Sequence, residues 1–139
     1  MHVLTGIDAG LIRMRQPTGA DVDALVAILA EPGVQAFGRP LDRTGVEALT
    51  GDDGARSLLL IEVDARPVGG IAIVDVDDPA RPHAVIELFV SSRWQRKGIG
   101  TRALRAVVRR LLDDGCHRVV AEPEALNQGA IATYSRIGF

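Results

Sequence analysis

The sequence predicts one α/β (α+β) domain, a mixed, largely antiparallel sheet flanked by helices. Three observations lead there. Ser57–Val63, Val68–Val76 and Ala84–Val90 are apolar runs of strand length separated by turn-forming residues. Leu104, Val107, Val108, Leu111 and Leu112 recur at helical spacing. Another short apolar run, His117–Ala121, follows that helix, so strand, helix and strand succeed one another in the order of a crossover. The chain has 139 residues, one domain's length, and no linker, repeat or low-complexity tract divides residues 1–139.

Taken in order, Leu11-Ile12-Arg13-Met14-Arg15 alternates apolar and basic residues and reads as a first strand. Thr18-Gly19-Ala20-Asp21 has the form of a capping box, and Val22, Leu25, Val26 and Leu29 continue it as an amphipathic helix stopped by Pro32-Gly33. A short helix is expected near Thr44–Leu49. The strand at Ser57–Val63 turns at Asp64-Ala65-Arg66-Pro67 into its hairpin partner at Val68–Val76, and Ala84–Val90 adds a third strand. Ile99–Asp113 is a helix ended by Gly115; His117–Ala121 is a strand, and Asn127–Arg136 a last helix before Gly138.

Hydrophobic residues at 47% and charged residues at 24% exclude a disordered chain. No apolar run reaches the ~18 residues of a membrane span, so no membrane partner is expected. Met1–Gly6 lacks the basic start and apolar core of a secretory signal, and one cysteine, Cys116, forms no internal disulfide or multi-cysteine metal site. A cytoplasmic location follows as an expectation. The overall charge of −2 conceals an asymmetry. Residues 1–90 carry seven arginines against fourteen acids, a net −7, whereas residues 91–118 reach +6. A basic segment of that kind suits an anionic ligand. Nucleic acid is not the expected one, because the isoelectric point is near 5.9 and only Trp94 interleaves the basic residues.

Chemistry concentrates in Ser91–Thr101, which joins a strand to the start of an amphipathic helix. Free amides and the helix dipole make such a junction an anion site, glycines at 98 and 100 permit close approach, and Arg96 and Lys97 add charge. The P-loop spacing is absent. Gly98-Ile99-Gly100-Thr101-Arg102-Ala103 has the glycine spacing of a dinucleotide fingerprint. However, a polar loop separates it from its strand, and too few residues follow Glu122 to complete that fold.

The segment Gln95-Arg96-Lys97-Gly98-Ile99-Gly100 resembles the signature loop of the GNAT superfamily of N-acetyltransferases: Gln or Arg, two residues, Gly, one residue, then Gly or Ala. A second signature falls at Asn127, Ala130, Tyr134, Gly138 and Phe139. The resemblance covers residues 84–139 well, and the layout from Leu11 is compatible with it. It implies the GNAT acyl-CoA N-acyltransferase fold, here lacking the last two strands. The expectation is therefore of a truncated version of a longer protein, exposing a sheet edge beside His117–Ala121 through which a homodimer can form. It also implies acetyl-CoA as acyl donor, no metal, and direct transfer of acetyl to a primary amine of a small molecule.

By the same resemblance, the coenzyme A pyrophosphate lies on the backbone of Gln95, Arg96, Lys97, Gly98, Ile99, Gly100 and Thr101. The pantetheine arm lies along Leu88, Phe89 and Val90, with Asn127 bonding it. Arg102 and Arg105 are candidate partners for the remaining phosphate, with helix solvation as the plainer role. Tyr134 matches a tyrosine that protonates the departing thiolate; packing its ring under the sheet is the alternative. Glu87 is the candidate base, directly or through water, because burial would raise a carboxyl toward a useful range; strand alternation leaves its facing open, and an ordinary exposed glutamate is the equal alternative. Glu122 is the second candidate. His83 and His117 are read as non-catalytic, and Cys116 as a small apolar filler. The run Arg118-Val119-Val120-Ala121-Glu122-Pro123 looks like a subgroup that acetylates aminoglycosides, which would imply antibiotic resistance. Siderophore precursors and peptide or protein amines are the other acceptors. A catalytically silent acyl-CoA-binding module is the reading from a different functional class.

Overall fold

The computed structural model describes residues 6–9, 11–34, 42–50, 56–76, 79, 83–116 and 118–121. Their strands form one six-stranded sheet in sequence order: β1 (Gly6–Ala9), β2 (Ile12–Arg15), β3 (Arg56–Val63), β4 (Arg66–Val76), β5 (His83–Val90) and β6 (Arg118–Ala121). Neighbours from β1 to β5 pair antiparallel, and β5 with β6 pairs parallel. A parallel pair needs a crossover, which α3 (Ile99–Asp113) supplies. The other α-helices among the described residues are α1 (Val22–Leu29) and α2 (Arg43–Thr50).

The mixed sheet is as expected, with two corrections. The run at Leu11–Arg15 is the second strand, because Gly6–Ala9 pairs outside it; four residues of which two are Gly6 and Ala9 carry almost no alternation signal. The hairpin turn is only Asp64-Ala65, both at positive φ, which is the two-residue turn whose twist suits a tight hairpin. Strand β4 therefore starts at Arg66. The expected last helix, the exposed edge beyond Ala121, His117, Glu122, Asn127 and Tyr134 lie outside the described residues.

Side-chain alternation divides the core between the two sheet faces. Ile12, Met14, Leu59, Ile61, Ile71, Ile73, Ala84, Ile86, Leu88 and Val90 meet Ile99, Ala103, Leu104, Val107 and Leu111 of α3. Leu58, Leu60, Ala72 and Phe89 meet Val22, Leu25 and Ile28 of α1 and Val46 of α2 on the other face. Leu58–Ile61 is continuously apolar because it is covered on both sides. At the entrance to α1, Asp21 accepts bonds from the Thr18 N–H (2.7 Å) and from both terminal nitrogens of Arg15 (2.8 and 2.9 Å). Arg15 also bonds Glu62 of β3. Arg43 pairs with Asp23, joining α2 to α1.

Candidate active site

Strand β5 places its two ends differently. Its first half is held on both sides, by β4 and, from His83–Arg118 to Ile86–Ala121, by β6. Among the described strands, Glu87 to Val90 are registered by β4 alone, opposite Ala72, Ile71, Gly70 and Gly69. The approach is tight there. A Cβ on Gly69 would lie 2.2 Å from the Phe89 carbonyl oxygen, and one on Gly70 would lie 2.7 Å from the Phe89 ring. Beside Gly69, Val68 is the extra residue of a β-bulge, and its carbonyl accepts the Ser91 N–H at 2.7 Å.

The chain then leaves the sheet through a 3-10 turn at Ser92–Trp94 and enters α3. Arg96 (φ 62°) and Gly98 (φ 79°) are left-handed, and Lys97 between them is not. The chain bends at Lys97 and Gly98 as it enters the helix start, where the first amides have no intrahelical partner. Arg96 is strained, since a side chain in the left-handed region costs about 1 kcal/mol. Gly98 is the N-cap of α3, the first helical bond is Arg102 N–H to Gly98 O (3.0 Å), and no side chain caps the helix. No acid occupies its first turn, while Arg93, Arg96, Lys97 and Arg102 are exposed around it. These donors fit a phosphate-bearing ligand.

The residues singled out from the sequence are placed as follows. Leu88, Phe89 and Val90 are buried, with Leu88 and Val90 in the core under α3 and Phe89 in the opposite core. Their side chains are committed to packing in the two cores. Gln95, Gly100 and Thr101 are half-buried, Ile99 packs from the start of α3 into the core, and Arg96, Lys97 and Gly98 are exposed. Glu87, whose facing the alternation left open, shares the Phe89 face toward α1 and α2 and is half-buried. Arg105 is exposed on α3, His83 is half-buried, and Cys116 is buried with its thiol donating to the Arg118 carbonyl (3.1 Å). Asn127, Tyr134 and Glu122 lie outside the described residues, so their distances to this loop are not part of the geometry. No cluster of His, Cys, Asp or Glu suited to a metal occurs among the described residues.

Sequence reasoning missed Glu31. This residue follows α1, sixty positions from the loop, yet its carboxylate accepts the Ser91 hydroxyl (2.8 Å) and the Ser92 N–H (2.9 Å). Gln95 reaches back the other way, donating its side-chain amide to Val90 O (2.8 Å) and Gly33 O (3.1 Å). The missed charge triad of Arg15, Asp21 and Glu62 lies on the α1 side of the sheet. There the Arg15 guanidinium, helped by the Thr18 N–H, holds the Asp21 carboxyl down at about 2.

Comparison with known proteins bears on the family and the fold. The Acetyltransferase (GNAT) family profile matches residues 22–139. A Xenopus laevis protein, N-alpha-acetyltransferase 30, is 36% identical over 52 residues, which are 37% of this chain and 19% of that protein. The chain thus spans only a minor part of the curated relatives it matches first. The structure of RimL, a ribosomal L7/L12 alpha-N-protein acetyltransferase in complex with coenzyme A, is similar with a TM-score of 0.81 at 19% identity, over 96% of this chain and 83% of that one. The microcin C7 self immunity acetyltransferase MccE, in complex with acetyl-CoA and AMP, gives 0.79 at 20% identity, over 99% and 83%. At such identities the likeness is one of fold, but the profile match takes in most of the sequence. The chain belongs to the GNAT acetyltransferase family.

Proposed function

We propose that this chain, as a single domain, transfers an acetyl group from acetyl-CoA to a primary amine by direct attack in a ternary complex. The observation that carries this reading is the entrance to α3. Two left-handed residues, Arg96 and Gly98, set the amides of an uncapped helix start among exposed cations. The donor supplies an activated acetyl thioester. In this reading the amides from Gln95 to Thr101 hold its pyrophosphate and the main chain of Leu88–Val90 aligns its arm, with Asn127 as a further bond. A main-chain N–H there polarises the thioester carbonyl as charge develops on oxygen. The amine nitrogen forms a bond to that carbon while the carbon–sulfur bond breaks. Glu87, directly or through water, takes the amine proton, with Glu122 as the alternative base, and Tyr134 returns a proton to the thiolate.

For the acceptor we favour a small-molecule amine, with an aminoglycoside as the narrower form of that reading. The acidic residues 1–90 supply complementary charge for a polycation. A peptide α-amine is the second reading, favoured by the name of the Xenopus laevis relative. The test is thiol release from acetyl-CoA against a panel of aminoglycosides, simple diamines and peptides with free N-termini. Amine-dependent release establishes the transferase and its acceptor class. Tight coenzyme A binding with no release for any amine replaces it with a silent acyl-CoA-binding module.

A further inference from the structure

Segment 31–34, which follows α1, is joined to the loop entering α3 by bonds in which the loop is the donor throughout. One carboxylate oxygen of Glu31 accepts the Ser91 hydroxyl hydrogen and the other accepts the Ser92 N–H. Gln95 gives its amide hydrogens to Gly33 O and Val90 O. The two segments also touch closely, since a Cβ on Gly33 would come within 2.5 Å of the Ser92 hydroxyl oxygen. Ser91 is buried, so its hydroxyl needs a partner, and Glu31 provides it. These bonds grip the turn at its first residues, immediately before the left-handed pair at the entrance to α3.

We propose that Glu31 is a positioning residue for the acyl donor. Through Ser91 and Ser92 it fixes the start of the turn, and so the direction in which the amides of Arg96–Thr101 point. This rests on the proposed function, because that function puts the donor's phosphates on those amides. Charge makes the claim unusually easy to test. A carboxylate near an anion site that served only for solubility would repel the ligand, so its removal would tighten binding of a polyanion. A carboxylate that holds the turn does the reverse: removing it loosens the donors and weakens binding. Glutamine separates the two effects further. Its carbonyl accepts the Ser92 N–H, its amide donates to a reoriented Ser91 hydroxyl, and the charge is gone.

The experiment is calorimetric titration of coenzyme A into the wild type, Glu31→Ala and Glu31→Gln, with amide hydrogen exchange of the unliganded proteins. We expect Glu31→Ala to lose about tenfold in affinity, and Glu31→Gln to recover to within about threefold of wild type. Exchange at residues 92–98 should quicken in Glu31→Ala by at least tenfold, with the middle of α3 unchanged. Unchanged or tighter binding by Glu31→Ala overturns the proposal, as does unchanged exchange. If the wild type itself fails to bind coenzyme A, the proposed function falls. The exchange comparison still decides whether Glu31 holds the turn. Should Glu31→Ala fold poorly, Ser91→Ala removes one of the two donors and should lose about threefold, and wild-type affinity there is equally fatal.

Discussion

Replacing Asp21 with Asn removes a charge while keeping an oxygen for the Thr18 N–H. Arg15 is the main cause that lowers the Asp21 carboxyl from 3.8 to about 2, through two bonds of 2.8 and 2.9 Å. A gap of that size corresponds to about 2 kcal/mol at neutral pH. The Arg15 side chain is 32% exposed, so solvent screening reduces the expected loss to about 1 kcal/mol. For a domain of this length that is about 3–5 °C in Tm. The sign follows from a carboxyl whose folded value is depressed. Its contribution is complete above the unfolded value near 3.8 and fades as pH falls through the folded value near 2. Urea unfolding of the wild type and Asp21→Asn at pH 7, 4 and 3 should show a constant difference at the first two, narrowed to about half at pH 3. A difference that is absent at pH 7, or equally large at pH 3, would refute the ion-pair account.

Other perturbations act on the loop, the chemistry and the sheet. Arg96→Glu with Lys97→Glu should weaken acetyl-CoA binding at least tenfold, about 1.4 kcal/mol, by calorimetry; unchanged affinity would sink the phosphate cradle. Tyr134→Phe should lower turnover far more than donor affinity, since only a proton donor is lost, and turnover within twofold of wild type would make Tyr134 structural. Gly69→Ala should cost about 2 kcal/mol or more in unfolding measurements, because its Cβ would meet the Phe89 carbonyl oxygen at 2.2 Å and Val90 Cα at 2.9 Å. Gly19→Ala, with nothing within 4 Å, serves as its control and should leave stability within about 0.5 kcal/mol.

The sheet was legible where burial imposes a pattern. Continuous apolar runs at β3, β4 and β5 mark strands covered on both faces, and the spacing in α3 places Leu104, Val107 and Leu111 toward the core. Both ends of α3 came out as expected, because Gly98 and Gly115 stand at positive φ where the chain enters and leaves it. Strand β1 was invisible because GIDA has neither periodicity nor bulk. The site was legible only as far as its chemistry is local. Glycine spacing and basic residues between 93 and 102 point to an anion without any knowledge of the fold. Glu31 and the Arg15–Asp21–Glu62 triad depend on contacts between distant residues, and a lone Glu after a helix looks the same whether it is solvated or holding a turn. The facing of Glu87 was likewise undecidable until the β4–β5 register put it on the Phe89 side.

The central claim is that the entrance to α3 holds the acyl donor. Titration of acetyl-CoA into nitrogen-15-labelled protein tests it most directly. The amides of Arg96, Lys97, Gly98, Ile99, Gly100 and Thr101 should shift together and saturate at one affinity, with Leu88–Val90 following and β1–β2 unmoved. Saturable binding that leaves those loop amides in place and shifts another surface would contradict the claim.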